Sequence, residues 1–106
     1  MRARPELFWV RVENTDFVTH LRLTGRFDSA AIPYLDDKIA DARGRDVVLD
    51  LSGLTYMDGA AWIAVMSYEH RVRDTGNDYW LENAFGSIRK IFESTETEYL
   101  LSEAAG

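Results

Sequence analysis

Two histidines, scattered carboxylates and no cysteine make up the reactive inventory of this chain. A metal site or a general base needs partners that converge on it. His20 lies in the run Phe17–Leu23, on the side shared with Val18 and Arg22, and His70 sits between Glu69 and Arg71. Neither spacing supplies a second ligand or an orienting group, so both read as surface residues. Asp36 and Asp37 beside Lys38 read as a solvated helix face. The absence of cysteine excludes disulfides and thiolate ligands. Gly25, Gly44, Gly53, Gly59 and Gly76 are isolated, so there is no phosphate-cradling loop. The expectation is a chain with no catalytic residue, no metal and no cofactor.

One stretch has the geometry of a binding site. Tyr56-Met57-Asp58-Gly59-Ala60-Ala61-Trp62 follows an apolar strand and opens an amphipathic segment. In open α/β sheets, sites gather where a strand's carboxyl end meets the next helix start. Asp58 has the side chain of an N-cap. The helix start offers free N–H groups and the positive end of the dipole. Gly59, Ala60 and Ala61 carry almost no side chain. They either pack on the sheet or leave room for another backbone. Trp62 is expected in the core, with projection beside the helix start as the alternative.

The elements that must position this stretch follow from periodicity. Residues 7–12 (LFWVRV) and 17–23 (FVTHLRL) read as a hairpin of strands, with Phe17, Thr19, Leu21 and Leu23 on one face. Trp9 and Trp80 fall in strands, in the core or on a sheet face. Gly25 breaks the pattern, and Asp28 can cap a helical turn. Pro33 suits a first turn, and Ile32, Leu35, Ile39 and Ala42 recur at helical spacing up to Gly44. Residues 46–51 (DVVLDL) read as a short central strand and Ser52 to Met57 as a loop. A helix over 59–73 carries Trp62, Val65, Met66, Tyr68 and Val72 on its apolar stripe. A turn at 75–77 leads to a last strand at 78–81, a helix marked by Phe85, Ile88, Ile91 and Phe92, and an apolar turn at Tyr99-Leu100-Leu101. The order β-β-α-β-α-β-α implies an α/β fold with parallel crossovers.

Composition sets the outer bounds. A chain of 106 residues, 46% hydrophobic, suits one packed domain over 1–106. The formal charge of −6 with few, scattered Lys and Arg argues against nucleic acid, whose phosphates demand clustered basic groups. It also disfavours an anionic membrane surface. No apolar run is long enough to span a bilayer, and Met1 to Val10 do not read as a signal peptide. A cytoplasmic protein is expected.

Residues 47–62, VVLDLSGLTYMDGAAW, resemble the central segment of STAS domains, the anti-sigma factor antagonist family: strand, D-L-S-G, apolar loop, then M-D-S-S-G-L at a helix start. Thr24 to Asp28, Arg73 to Gly76, Ser87 to Phe92 and Glu98 to Leu101 resemble further family segments in the same order. The resemblance implies a mixed β-sheet of about four strands with helices packed on it. It implies a bacterial, cytoplasmic regulator of transcription, without enzymatic activity, that binds an anti-sigma factor or related regulator through Tyr56, Met57, Asp58, Gly59, Ala60, Ala61 and Trp62. A transporter accessory subunit of the ABC type and a small-ligand sensor are the alternatives. In the family, phosphorylation of a serine after the motif aspartate switches binding off, by adding charge to the interface. Here Asp58 matches the aspartate, but Gly59 stands at the phosphoacceptor position and Ala60 at the second serine. Ala61 replaces the usual glycine and Trp62 the usual leucine.

Overall fold

The computed structural model describes residues 4–101. Met1 to Ala3 and Ser102 to Gly106, included in the expected 1–106 domain, lie outside the described residues. The order is β1 (Phe8–Asn14), β2 (Val18–Phe27), α1 (Ile32–Asp41), β3 (Asp46–Met57), α2 (Gly59–Arg73), β4 (Tyr79–Glu82), α3 (Gly86–Ser94) and a 3-10 turn at Glu98–Leu100. The sheet runs β1-β2-β3-β4, with β1 antiparallel to β2 and the other neighbours parallel. This is the expected single α/β domain with a four-stranded mixed sheet.

The expected loop at Ser52 to Met57 is strand. β3 continues to Met57, and β2 runs beside it to Phe27 through Gly25. Two register shifts, between Arg22 and Thr24 and between Gly25 and Arg26, break the twofold side-chain period that marks a strand in sequence. Gly25 therefore lies within β2 and does not end it. Its φ is +95°, and a Cβ there would lie 2.2 Å from the Leu7 carbonyl oxygen. That oxygen accepts the Arg26 N–H at 2.8 Å, which continues the pairing with β1 past Gly25.

Helices cover one face of the sheet. Phe8, Leu21, Leu23, Val47, Leu49 and Leu81 point into that layer and are fully buried or nearly so. They meet Leu35 and Ile39 of α1, Val65 and Tyr68 of α2, and Ile88 and Phe92 of α3. Each such side chain contributes about 1.5–3 kcal/mol by leaving water. Phe17, expected on the inward face, is exposed because it lies in the turn before β2. Tyr99 and Phe85 are likewise exposed, while Leu100 and Leu101 are buried. The other sheet face carries Trp9, Arg11, His20, Arg22, Asp50 and Glu82, and among the described residues no helix lies over it.

Candidate functional site

The parallel strands β2, β3 and β4 all deliver their carboxyl ends to one side of the molecule, and each is followed by a helix. The β3–α2 junction is the tightest of these. β3 ends at Met57 and α2 begins at Gly59, leaving Asp58 alone between them. Its backbone is extended (φ −94°, ψ 179°), and its Oδ1 accepts the Ala61 N–H at 2.8 Å. The Asp58 N–H donates to the Phe27 carbonyl at 3.3 Å, which ties the helix start to the end of β2. The cap thus fixes where α2 leaves the sheet.

The seven expected residues divide by direction. Tyr56, Gly59 and Ala60 are exposed, and Asp58 is half-buried. Met57 and Ala61 point inward, at 5% and 0% exposure, and serve the core. Trp62 is half-buried: it packs against the core, and its indole N–H donates to the Thr97 hydroxyl at 3.3 Å. The surface is therefore narrower than the sequence stretch.

It is also extended by residues outside that stretch. Ile63, one turn into α2, is 61% exposed. Arg26 of β2 stacks on the Tyr56 ring, 4.0 Å from its centroid, and its Nε donates to Asp28 Oδ2 at 3.1 Å. Asp28 Oδ1 in turn accepts the Ala30 N–H at 3.1 Å, so this acidic and basic pair is held in place beside the helix start. The result is an exposed patch of backbone and small residues, flanked by an aromatic ring and an aliphatic side chain. It holds no nucleophile beside a base.

Gly59 has a particular standing in this patch. Its φ is not in the left-handed region, and a Cβ there would meet nothing within 4 Å. Gly25 and Gly53, in contrast, have backbone atoms at 2.2 Å and 2.8 Å from their Cβ positions. The fold needs glycine at those two places and does not need it at Gly59.

Among the other sequence candidates, His20 lies 3.4 Å from Glu82 on the open sheet face and His70 is exposed on α2. Asp36 accepts the Tyr68 hydroxyl at 2.5 Å and belongs to the helix packing. Asp50, in the D-L-S-G stretch, is pushed up by burial. The Ser52 N–H and Asn83 amide that donate to it, with the nearby Arg22 charge, outweigh this and hold its carboxyl below the usual range.

The architecture and this junction define a single α/β domain of the STAS fold. The structure of the anti-sigma factor antagonist SpoIIAA in its unphosphorylated form superposes with a TM-score of 0.78 at 19% identity, covering 92% of this chain and 91% of that one. An anti-sigma factor antagonist from Mycobacterium paratuberculosis gives 0.78 at 18% identity, over 96% and 91%. The Bacillus cell fate determinant SpoIIAA in the phosphorylated form gives 0.73 at 20%, over 92% and 95%. No curated protein matches the sequence. The family model described as MlaB, STAS domain, matches residues 10–102, and the chain belongs to that family.

Proposed function

We propose that this STAS domain is a cytoplasmic, non-enzymatic regulator that binds a protein of the anti-sigma factor type through the start of α2. Gly59 carries the reading. Its missing side chain serves nothing inside the chain, yet it sits exposed at a capped helix start between Tyr56 and Ile63. A partner backbone approaching closely is the use that such a residue has. The likeness of the fold to SpoIIAA, an anti-sigma factor antagonist, supports a partner of the anti-sigma factor type.

The regulation differs from the family pattern. Neither Gly59 nor Ala60 has a hydroxyl, so phosphate cannot be placed at the helix start. The surface then binds either constitutively or under a control other than phosphate at this helix start.

The test is capture from native cells by wild type and by Gly59→Glu, with bound proteins identified by mass spectrometry and their affinity measured after purification. The carboxylate imitates a phosphate and, near a helix N-terminus, favours the helix by about 0.3–1 kcal/mol. A loss of affinity in a folded variant therefore locates the interface. Equal binding of the same partner by both proteins overturns the reading, and capture of a transporter subunit replaces the anti-sigma partner with the accessory-subunit alternative.

A further inference from the structure

The open face of the sheet carries a row of charges in which one opposite pair at the centre is flanked by like charges on both sides. Register places Arg11, Arg22, Asp50 and Glu82 side by side across β1, β2, β3 and β4. Together with Glu13 and His20 they line a shallow depression of about 260 Å³. Read across the sheet, the signs are plus, plus, minus, minus. Like charges directly opposite each other on neighbouring strands are destabilising. A face shaped only for solubility gains by alternating the signs, and this one places Arg11 against Arg22 and Asp50 against Glu82. Local relief is partial: Arg22 stands opposite Asp50, Arg11 lies 3.0 Å from Glu13, and Glu82 lies 3.4 Å from His20.

We propose that this face binds a second copy of the chain, in a symmetric dimer whose two-fold axis lies between β2 and β3 and along the strands. A two-fold contact sets the same patch against itself. This axis carries β1 over the second copy's β4 and β2 over its β3. Arg11 then faces the second copy's Glu82, and Arg22 faces its Asp50, with both contacts repeated by symmetry. The adjacent row, Glu13, His20, Val48 and Trp80, is set against itself with Glu13 over Trp80 and His20 over Val48, so no like charges meet there. Sheets packed face to face cross at about 30° because each is twisted. The inner pair lies nearest the axis and is displaced least.

The dimer is weak. Four strands about 4.8 Å apart and about five residues long give a face of only a few hundred Å², against roughly 800 Å² per partner in a standard stable interface. The chain's net charge of −6 opposes association as well. Salt screens that repulsion and the local attraction together, so salt dependence alone does not discriminate. The face lies away from the helix layer and is separate from the α2 start, so dimerisation and partner binding are tested independently.

Charge exchange is the experiment. Self-association is measured by sedimentation equilibrium at high protein concentration and low salt. Arg22→Asp leaves four facing carboxylates and Asp50→Arg leaves four facing guanidinium groups, so each alone loses self-association by about tenfold or more. Mixed together, the two variants restore it, because every contact is again between opposite charges. The exchange Arg11→Glu with Glu82→Arg repeats the logic without disturbing the hydrogen bonds that Asp50 accepts from Ser52 and Asn83. Lys90→Asp and Glu93→Arg on α3 change net charge by the same amounts and leave self-association as in wild type. The proposal is overturned if the wild type is monomeric at every concentration, if single variants associate as it does, or if neither mixture recovers the dimer.

Discussion

Asp58 has two possible uses, and its geometry shows only one of them directly. The 2.8 Å bond from Ala61 N–H to Oδ1 is an N-cap, and losing a cap of this kind costs about 0.5–2 kcal/mol. Asp58→Ala is expected to lower the unfolding free energy measured in urea by that amount, and Asp58→Ser to keep it, because serine caps well without charge. If the carboxylate also meets a basic group on the partner, Asp58→Ser loses affinity at unchanged stability. An alanine variant that unfolds at the wild-type midpoint would contradict the cap. Gly59 gives the complementary case. With no atom within 4 Å of its Cβ position, Gly59→Ala is expected to fold with stability unchanged or raised by up to about 1 kcal/mol. Weaker partner binding by that stable variant would show that the missing side chain serves the interface. The kinase question is settled by intact mass: incubation with ATP and a cognate anti-sigma kinase is expected to add no phosphate, whether at Thr55 beside the junction or at Ser67 further along α2.

The elements were unequally legible, for physical reasons. α2 is bounded in sequence by a capping aspartate and an apolar stripe, and it spans Gly59–Arg73 as those signals predict. β3 hides its second half because it is itself bulged, with one residue more than β2 at each of the two register shifts. Leu51, Leu54 and Met57 all point inward, but their spacing is three, not two, and it imitates a loop. The candidate site suffers from the same limit. Asp58 and Gly59 are legible because cap and glycine act locally, whereas Arg26 reaches Tyr56 only because β2 pairs in register with β3. Ile63 lies outside the apolar stripe, and its exposure beside the junction is seen only once the helix is set down on the sheet. The bulges also make a prediction at this scale. Gly53→Ala would put a Cβ 2.6 Å from the Thr24 hydroxyl and 2.8 Å from the Leu23 carbonyl. Gly25→Ala adds a positive φ to a closer clash, and strain of this kind costs on the order of 1–3 kcal/mol before any repacking. Thermal melts should rank Gly25→Ala below Gly53→Ala and both well below Gly59→Ala. Equal melting of all three would mean that the paired bulges do not set the length of β3.

Two buried phenols tie α1, α2 and β4 together, and they set the behaviour of the molecule in alkali. Tyr68 on α2 donates to Asp36 on α1 at 2.5 Å, while Tyr79 on β4 donates to the Val65 carbonyl on α2 at 2.8 Å. Burial, followed by the hydrogen bond to and charge of Asp36, pushes the Tyr68 hydroxyl far above its ordinary value. Burial, followed by the charges of Tyr68 and Glu69, pushes Tyr79 well above it too. An unfolded tyrosine titrates near 10. Both folded values lie higher, so the stability that these groups contribute is complete below about pH 10 and is lost as pH rises from there toward the folded values. Each neutral phenol then contributes a slope of up to about 1.4 kcal/mol per pH unit. Tyr79→Phe is expected to cost about 0.5–1.5 kcal/mol near neutral pH, by losing the bond to α2. Above pH 10 the variant should lose stability less steeply than wild type, by up to that single-tyrosine slope, so the two curves converge. Urea unfolding measured across this range tests the point. Parallel curves for wild type and Tyr79→Phe would show that Tyr79 ionises freely in the folded protein and that the contact between β4 and α2 is open to water.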